Sequence, residues 1–316
     1  MRTVVVTGVG LAVPGLAGIQ DLVPPGPVGS AGFDPAIALR GKRMRHKDRA
    51  SRLALSAVEP ALYDAGLCDS AALAGAATVV STNFGNLDSV CSFADIIHSG
   101  SVVDLSPVGL PHTSSNCTAG WVAIEFGLRG PSLTVCNGAT GGLDALFWAG
   151  NLIGFARAEV AVVVGVEPHT ETVAALHAID GAESWLDGAV AVVLESAEHA
   201  HDRGQRARAE LAGCWRAADV PEVLRPAKAA LADPVGRYLA DQQAGLPDAD
   251  DLTARLGRCS GALGVLQCAA AVAWLDRGHT TPVLAVSGGT SGEQADGEAV
   301  AALLLTPPGH AAGRAA

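Results

Sequence analysis

The clearest placement for chemistry in this chain is one stretch, Gly130 to Ala149, GPSLTVCNGATGGLDALFWA. Pro131 to Cys136 reads as a short strand carrying the β-branched residues Thr134 and Val135. Asn137-Gly138-Ala139-Thr140-Gly141-Gly142 is a glycine turn, and an apolar, alanine-rich helix starts at Leu143. A strand that turns on glycine into a buried helix displays one side chain at the helix N-terminus. Backbone N–H groups and the helix dipole there favour a developing anion. The placement suits a nucleophilic Ser or Cys, yet the displayed residue is Ala139. Relocated chemistry would need other side chains: Cys136 as nucleophile, with His112 or His169 as base. An inert thiol inside a buried strand and a satisfied loop histidine are the commoner fates of such residues.

The elements that must position this turn alternate between strand and helix. Thr3 to Val6 reads as a strand running into a glycine turn, Thr7-Gly8-Val9-Gly10. A dinucleotide fingerprint is excluded there, since the third glycine is missing and Pro14 interrupts the helix that should follow. Ala50 to Ala65 has helical spacing, with Pro60 weakening its second half. Further strands are expected at Ala77 to Ser81, Glu159 to Val166 and Ala189 to Leu194, with helices in Phe84 to Ser101 and Asn116 to Phe126. The later part predicts strands near Arg208 to Leu211, Val235 to Leu239, Pro282 to Val286 and Ala301 to Leu305, and a long helix over Gly261 to Arg277. Each half holds one largely apolar helix behind a glycine cluster, which predicts a duplicated α/β unit of two sheets sandwiching buried helices.

With 49% hydrophobic and 17% charged residues the chain has ample material for a core. A net charge of −11 argues against nucleic acid or an anionic membrane as partner. One basic cluster, Arg40 to Arg52, reads as a salt-bridged helix start or as a docking site for an acidic partner. Seven scattered cysteines, without a C-x-x-C pair, and a start directly on a strand lead us to expect a cytoplasmic protein with no targeting segment. The longest apolar stretch, Gly261 to Leu275, falls short of a membrane span.

With its segments placed, the chain resembles the β-ketoacyl synthase family on the thiolase fold. The resemblance rests on VVVTGVGLAVPG, FDPAIALRGKRMRHKDRASRLALSAVEPALYDAGL, NCTAGWVAIEFGLRGPSLTV followed by GGLDAL, and WLDGAVAVVLESAEHAHDRG. It implies an α-β-α-β-α layering with buried central helices, an N-terminal half over residues 1–200 and a shortened C-terminal half over 201–316, together one structural unit. It also implies Claisen condensation by a thiolate, two imidazoles that hold the extender carbonyl, and a supporting lysine.

Here the family's cysteine position is Ala139, the first-histidine strand runs on into Asp241 and Gln242, and the second G-H pattern reads Gly257-Arg258. A guanidinium stays charged and cannot replace a neutral imidazole. The lysine position falls on or near Thr253, with Arg255 the nearest cation. One branch, the chain-length factor of type II polyketide synthases, is similar in these replacements: ATGGLDAL, ADQQAGLPDAD and GRCSGA. Chain-length factors often carry Gln where Ala139 stands, so the malonyl decarboxylation attributed to that Gln is not carried over. The glycine loop that closes the family's site is represented by Ser287-Gly288-Gly289 or Gly297, without its Phe. The short second half and reduced loop point to a divergent subfamily, of the kind serving polyene-type chains.

The leading expectation is a catalytically inactive chain-length factor, without cofactor or metal, that pairs with an active ketosynthase and meets an acyl carrier protein. The resemblance implies that Ser132, Leu133, Thr134, Val135 and Cys136 pair across a dimer axis. It also implies that Asn116, Ala119 and Ala123 line the tunnel for the growing chain, with Trp121 packing elsewhere. The rivals are an acyl-transferring or decarboxylating enzyme with relocated residues and a homodimeric non-catalytic scaffold.

Overall fold

A computed structural model describes residues 1–23, 33–68, 71–178, 184–231, 233–241, 244–289 and 299–309. Within them the aliphatic runs become strands β1 (Val4–Ala12), β2 (Ala77–Ser81), β3 (Ser132–Val135), β4 (Val160–Glu167), β5 (Gly188–Ser196), β6 (Ala209–Ala217), β7 (Arg237–Ala240), β8 (Val283–Ser287) and β9 (Val300–Thr306). The helices are α1 (Pro35–Ala38), α2 (Arg49–Asp64), α3 (Leu87–Ser99), α4 (Cys117–Phe126), α5 (Gly141–Gly154), α6 (Glu171–Ala178), α7 (Ala197–Asp202), α8 (Val220–Ala229), α9 (Thr253–Leu256) and α10 (Leu263–Asp276). None of the described helices is long and apolar enough to cross a membrane.

The strands run in the order β3-β2-β4-β5-β1-β6-β9-β8-β7. The expected pair of sheets is therefore one hydrogen-bonded surface. Its join is short: β1 meets β6 through Val5 opposite Glu210 and Val6 opposite Ala209. Moving outward from the join, both sides repeat the same sequence of pairings, antiparallel, antiparallel, then parallel. The duplicated α/β unit is thus visible in the topology. The first side adds β3 beyond β2, and among the described residues β7 has no such neighbour.

β1 is longer than the sequence suggests. Gly8 and Gly10 lie inside it rather than in a turn. A Cβ on Gly8 would stand 2.3 Å from Ala61 O, and one on Gly10 would stand 2.2 Å from Ala57 O. These glycines let α2 lie directly on the strand, a packing role that a turn motif mimics. α2 also runs unbroken through Pro60 to Asp64: Pro60 itself is exposed, and Leu53, Leu55, Val58 and Leu62 of the same helix are buried. That burial outweighs the lost hydrogen bond at proline.

α5 and α10 are the buried central helices. α10 is apolar on every side, and apart from Trp274 and Asp276 its residues are buried. The two cross at a glycine pair, where a Cβ on Gly264 would fall 2.2 Å from Leu143 N and one on Gly142 2.6 Å from Gly264 N. Side chains of α5 and α10 share one core with β1, β2, β4, β5, β8 and β9. A second core lies between α2, α4 and the opposite face of β2, β4 and β5.

Candidate functional site

The C-terminal ends of the parallel strands β2, β3 and β4 and of β7 and β8 feed loops, and several of these meet around the glycine turn that follows β3. Open α/β sheets place their sites at such ends. The turn is a short 3-10 segment, Gly138–Thr140, leading into α5. Asp144, buried in the first turn of α5, braces it: Oδ2 accepts from Asn137 Nδ2 at 2.6 Å and from Thr140 Oγ1 at 2.8 Å. Arg216 pairs with Asp144 Oδ1 at 3.0 Å. Ala139 stands half-buried in this turn.

The loop after β2 clasps the turn to the second half of the chain. Asn83 Nδ2 donates to Gly138 O at 3.0 Å and to Ser260 Oγ at 2.7 Å, and Asn83 Oδ1 accepts from Gly138 N at 3.2 Å. Glu167, at the end of β4, is the anchor beneath. Its Oε1 accepts from the N–H groups of Asn83 at 2.8 Å and Gly261 at 2.9 Å. Its Oε2 accepts from Phe84 N at 3.2 Å and Thr82 Oγ1 at 3.3 Å. Burial drives this carboxyl up to about 7, even against the donors that favour its charged form. Gly288, after β8, closes another side: a Cβ there would meet Thr140 Cγ2 at 2.8 Å.

Of the other positions the resemblance points to, Arg258 lies two residues before Ser260, which Asn83 joins to the glycine turn. Asp241 directly follows β7, and its Oδ1 accepts from Ala244 N at 3.1 Å. Gln242 and Gly297 lie outside the described residues. Arg258 is exposed, with its guanidinium 5.5 Å from the Trp185 ring centroid and its backbone bridged to Trp185. Burial and the charges of Asp251, Glu167 and Asp241 together push the neighbouring Cys259 thiol up. Thr253 is tied to Asp251 through both N and Oγ1, and Arg255 reaches away to Asp21 O at 2.5 Å.

Cys136 requires a correction. It is exposed just past the last residue of β3, not buried within the strand, because β3 ends at Val135. Burial of its thiol and the charge of Glu167 still raise its pKa. His169 is an exposed loop residue whose N–H donates to Asp187 at 3.0 Å. His112 stands with Cys117 at 3.4 Å and Asp48 at 3.6 Å, where the N-termini of α2 and α4 approach. Burial and Asp48 hold the Cys117 thiol up at about 11, so this is not an activated pair. Trp121 stacks on His112 and lies under the Lys47 ammonium.

β3 is the terminal strand of the sheet, with Ser132 exposed and Leu133, Thr134 and Val135 half-buried. The helices beside it carry exposed apolar side chains, Ile124 on α4 at 73% and Trp148 on α5 at 50% exposure. On α4, Asn116 is exposed at the N-cap, Ala123 is half-buried, and Ala119 is wholly buried against the α2 core. Much of the basic cluster is paired within the chain: Arg43 with Glu59 and Glu125, Lys47 with Glu125, Arg49 with Asp187. Arg40, Lys42 and Arg45 remain exposed.

Sequence reasoning did not single out Asn83, Asp144 or Glu167 as site residues. Glu167 left a signal, a lone acid ending the valine run of β4. Nothing in the sequence tied Asn83 to Ser260, 177 positions away.

Residues 27–184, half of the chain, match the family described as beta-ketoacyl synthase, N-terminal domain. The chain belongs to the β-ketoacyl synthase family. A 3-oxoacyl-[acyl-carrier-protein] synthase 2 of Coxiella burnetii is 24% identical over 217 residues, 61% of this chain and 52% of the relative. A putative polyketide beta-ketoacyl synthase 1 of Streptomyces halstedii is 28% identical over 267 residues, 67% of this chain and 62% of the relative. The chain thus spans about half the length of the Coxiella synthase it matches. Two solved structures share the fold over almost the whole chain. One is a type II polyketide acyl-carrier protein in complex with its ketosynthase bound to the hexaketide, with a TM-score of 0.78, 20% identity, and 97% of this chain and 100% of that one covered. The other is the ishigamide ketosynthase/chain length factor, with a TM-score of 0.73, 21% identity, and coverage of 96% and 99%. The synthase family member described here therefore has a mixed α/β, thiolase-like fold with buried central helices.

Proposed function

We propose that this chain is the catalytically inactive, chain-length-determining partner of an active ketosynthase in type II polyketide biosynthesis, with an acyl carrier protein delivering the growing chain. The observation that carries this reading is Ala139 in an intact nucleophile turn. The bracing by Asp144, the clasp by Asn83 and the glycine crossing of α5 and α10 surround a methyl group. A methyl group forms no thioester, and Asp241 and Arg258 offer no neutral imidazole for an enolate.

We read residues 1–200 and 201–316 as the two thiolase-like halves, meeting at the β1–β6 join. The edge strand β3, with Ile124 and Trp148 beside it, is the surface we assign to the ketosynthase partner. The tunnel wall on α4 takes its surface from Asn116 and Ala123, since Ala119 is spent in the core. The exposed Arg40, Lys42 and Arg45 are the groups left to meet an acidic carrier protein.

The test is co-expression with an active ketosynthase, followed by pull-down and condensation assays with malonylated carrier protein. The pair should co-purify and condense, and the isolated chain should neither accept an acyl group nor condense. Acyl transfer by the isolated chain would favour an enzyme with relocated residues. A stable homodimer that ignores every ketosynthase would favour the scaffold.

A further inference from the structure

The cluster formed by Asp48, His112 and Cys117 is not used by the proposed function. Its ligand atoms come from three separate segments. Asp48 caps α2, His112 sits in a 3-10 turn, Leu110–Thr113, and Cys117 opens α4. One ligand atom from each lies within 4.8 Å of the other two.

Two arrangements compete for such a trio. In a catalytic relay the thiol and the carboxylate would contact different ring nitrogens. Here both face Nδ1: Cys117 Sγ at 3.4 Å and Asp48 Oδ2 at 3.6 Å. Three unlike donors within 4.8 Å of one another suit chelation. With Zn–S near 2.3 Å and Zn–N and Zn–O near 2.0–2.2 Å, tetrahedral angles place N and S about 3.6 Å apart and N and O about 3.4 Å apart. The observed separations agree to within 0.2 Å of those values.

The surroundings hold the donors in place. Asp48 accepts from Ser51 N at 2.7 Å through Oδ1 and from Ser51 Oγ at 3.1 Å through Oδ2, which fixes the carboxylate. The His112 ring stacks on Trp121 at 5.9 Å between centroids. A cavity of about 340 Å³, lined by His46, Asp48, Asp88, Phe93 and His112 among others, leaves room for a water as fourth ligand.

We propose that Asp48, His112 and Cys117 form a binding site for a divalent transition metal, Zn²⁺ by donor set, with one open position occupied by water. On binding, Cys117 coordinates as thiolate and its proton passes to solvent. The site ties the N-terminus of α4 to that of α2, and it stands independently of whether the protein is a chain-length factor.

The experiment titrates the reduced, full-length protein with Co²⁺ and then Zn²⁺. One Co²⁺ should bind, with a thiolate-to-cobalt charge-transfer band and the intense visible bands of a four-coordinate site, and Zn²⁺ should displace it. Cys117→Ser should abolish the charge-transfer band and weaken Zn²⁺ binding tenfold or more. His112→Ala and Asp48→Asn, the latter keeping the helix cap, should each weaken it similarly. X-ray absorption of the wild-type zinc complex should show a single sulfur ligand, whether or not the variants fold. Absence of one-to-one binding, a charge-transfer band that survives Cys117→Ser, or a zinc site with no sulfur or more than one overturns the proposal.

Discussion

Glu167 Oε1 accepts the backbone N–H of Gly261 at 2.9 Å, a bond that fastens the last residue of a first-half strand to the second-half glycine turn. The carboxyl is buried, and burial lifts it to about 7 against an ordinary value of 4.5. A raised carboxyl binds a proton more readily folded than unfolded, so stability falls as pH rises from about 4.5 through 7 and is level above that. The full effect is about 3 kcal/mol. Urea melts of wild type across this range should show the decline. Glu167→Gln should flatten it while lowering stability at every pH, since an amide nitrogen would face donors.

The crossing of α5 and α10 tolerates no side chain. Gly264→Ala places a Cβ 2.2 Å from Leu143 N, a backbone atom that cannot yield. A loss of about 3 kcal/mol or more is expected by thermal unfolding. Gly150→Ala, on the other crossing helix α5, meets only Leu211 Cδ2 at 3.8 Å. It should instead stabilise by about 0.5–1 kcal/mol through reduced chain entropy.

Arg203 holds the fully buried Glu195 through Nη2 to Oε1 and Nε to Oε2, both at 2.7 Å, and also binds the carbonyls of Ala65 and Gly66. Burial pushes the Glu195 carboxyl up, but the bonds from Arg203, Thr7 and His199 prevail and set it below its usual value. Arg203→Met leaves a buried charge half-compensated and should cost about 3–5 kcal/mol near neutrality. The loss should shrink as pH falls through the Glu195 range, because a depressed carboxylate contributes only while ionised. Chemical denaturation at neutral and acid pH checks both statements.

Ala119→Trp should unfold the protein rather than reshape a product, because Ala119 has no exposed surface and packs in the α2–α4 core. Asn116→Trp, on the exposed N-cap of the same helix, should leave thermal stability within about 0.5 kcal/mol of wild type. In the reconstituted pair it should shorten the polyketide, read by mass spectrometry. Unchanged product length would remove Asn116 from the tunnel.

The sequence alone determined the alternation of strands and helices, because valine runs such as Val160–Glu167 and the helical spacing of Leu55, Val58 and Leu62 are local signals. It also placed Ala139 in a glycine turn between a strand and a helix, since that needs only neighbouring residues to be read. Tertiary structure decided what depends on approach between distant segments. Gly8 and Gly10 look like a turn until α2 is seen lying on them, and Pro60 looks like a helix end until the burial of Leu53, Leu55, Val58 and Leu62 around it is seen. Asn83, Glu167 and Ser260 become one clasp, and Asp48, His112 and Cys117 one cluster, only when the fold brings them together. Periodicity reports which face of an element is buried, whereas such clusters depend on which elements meet, and that is settled by packing.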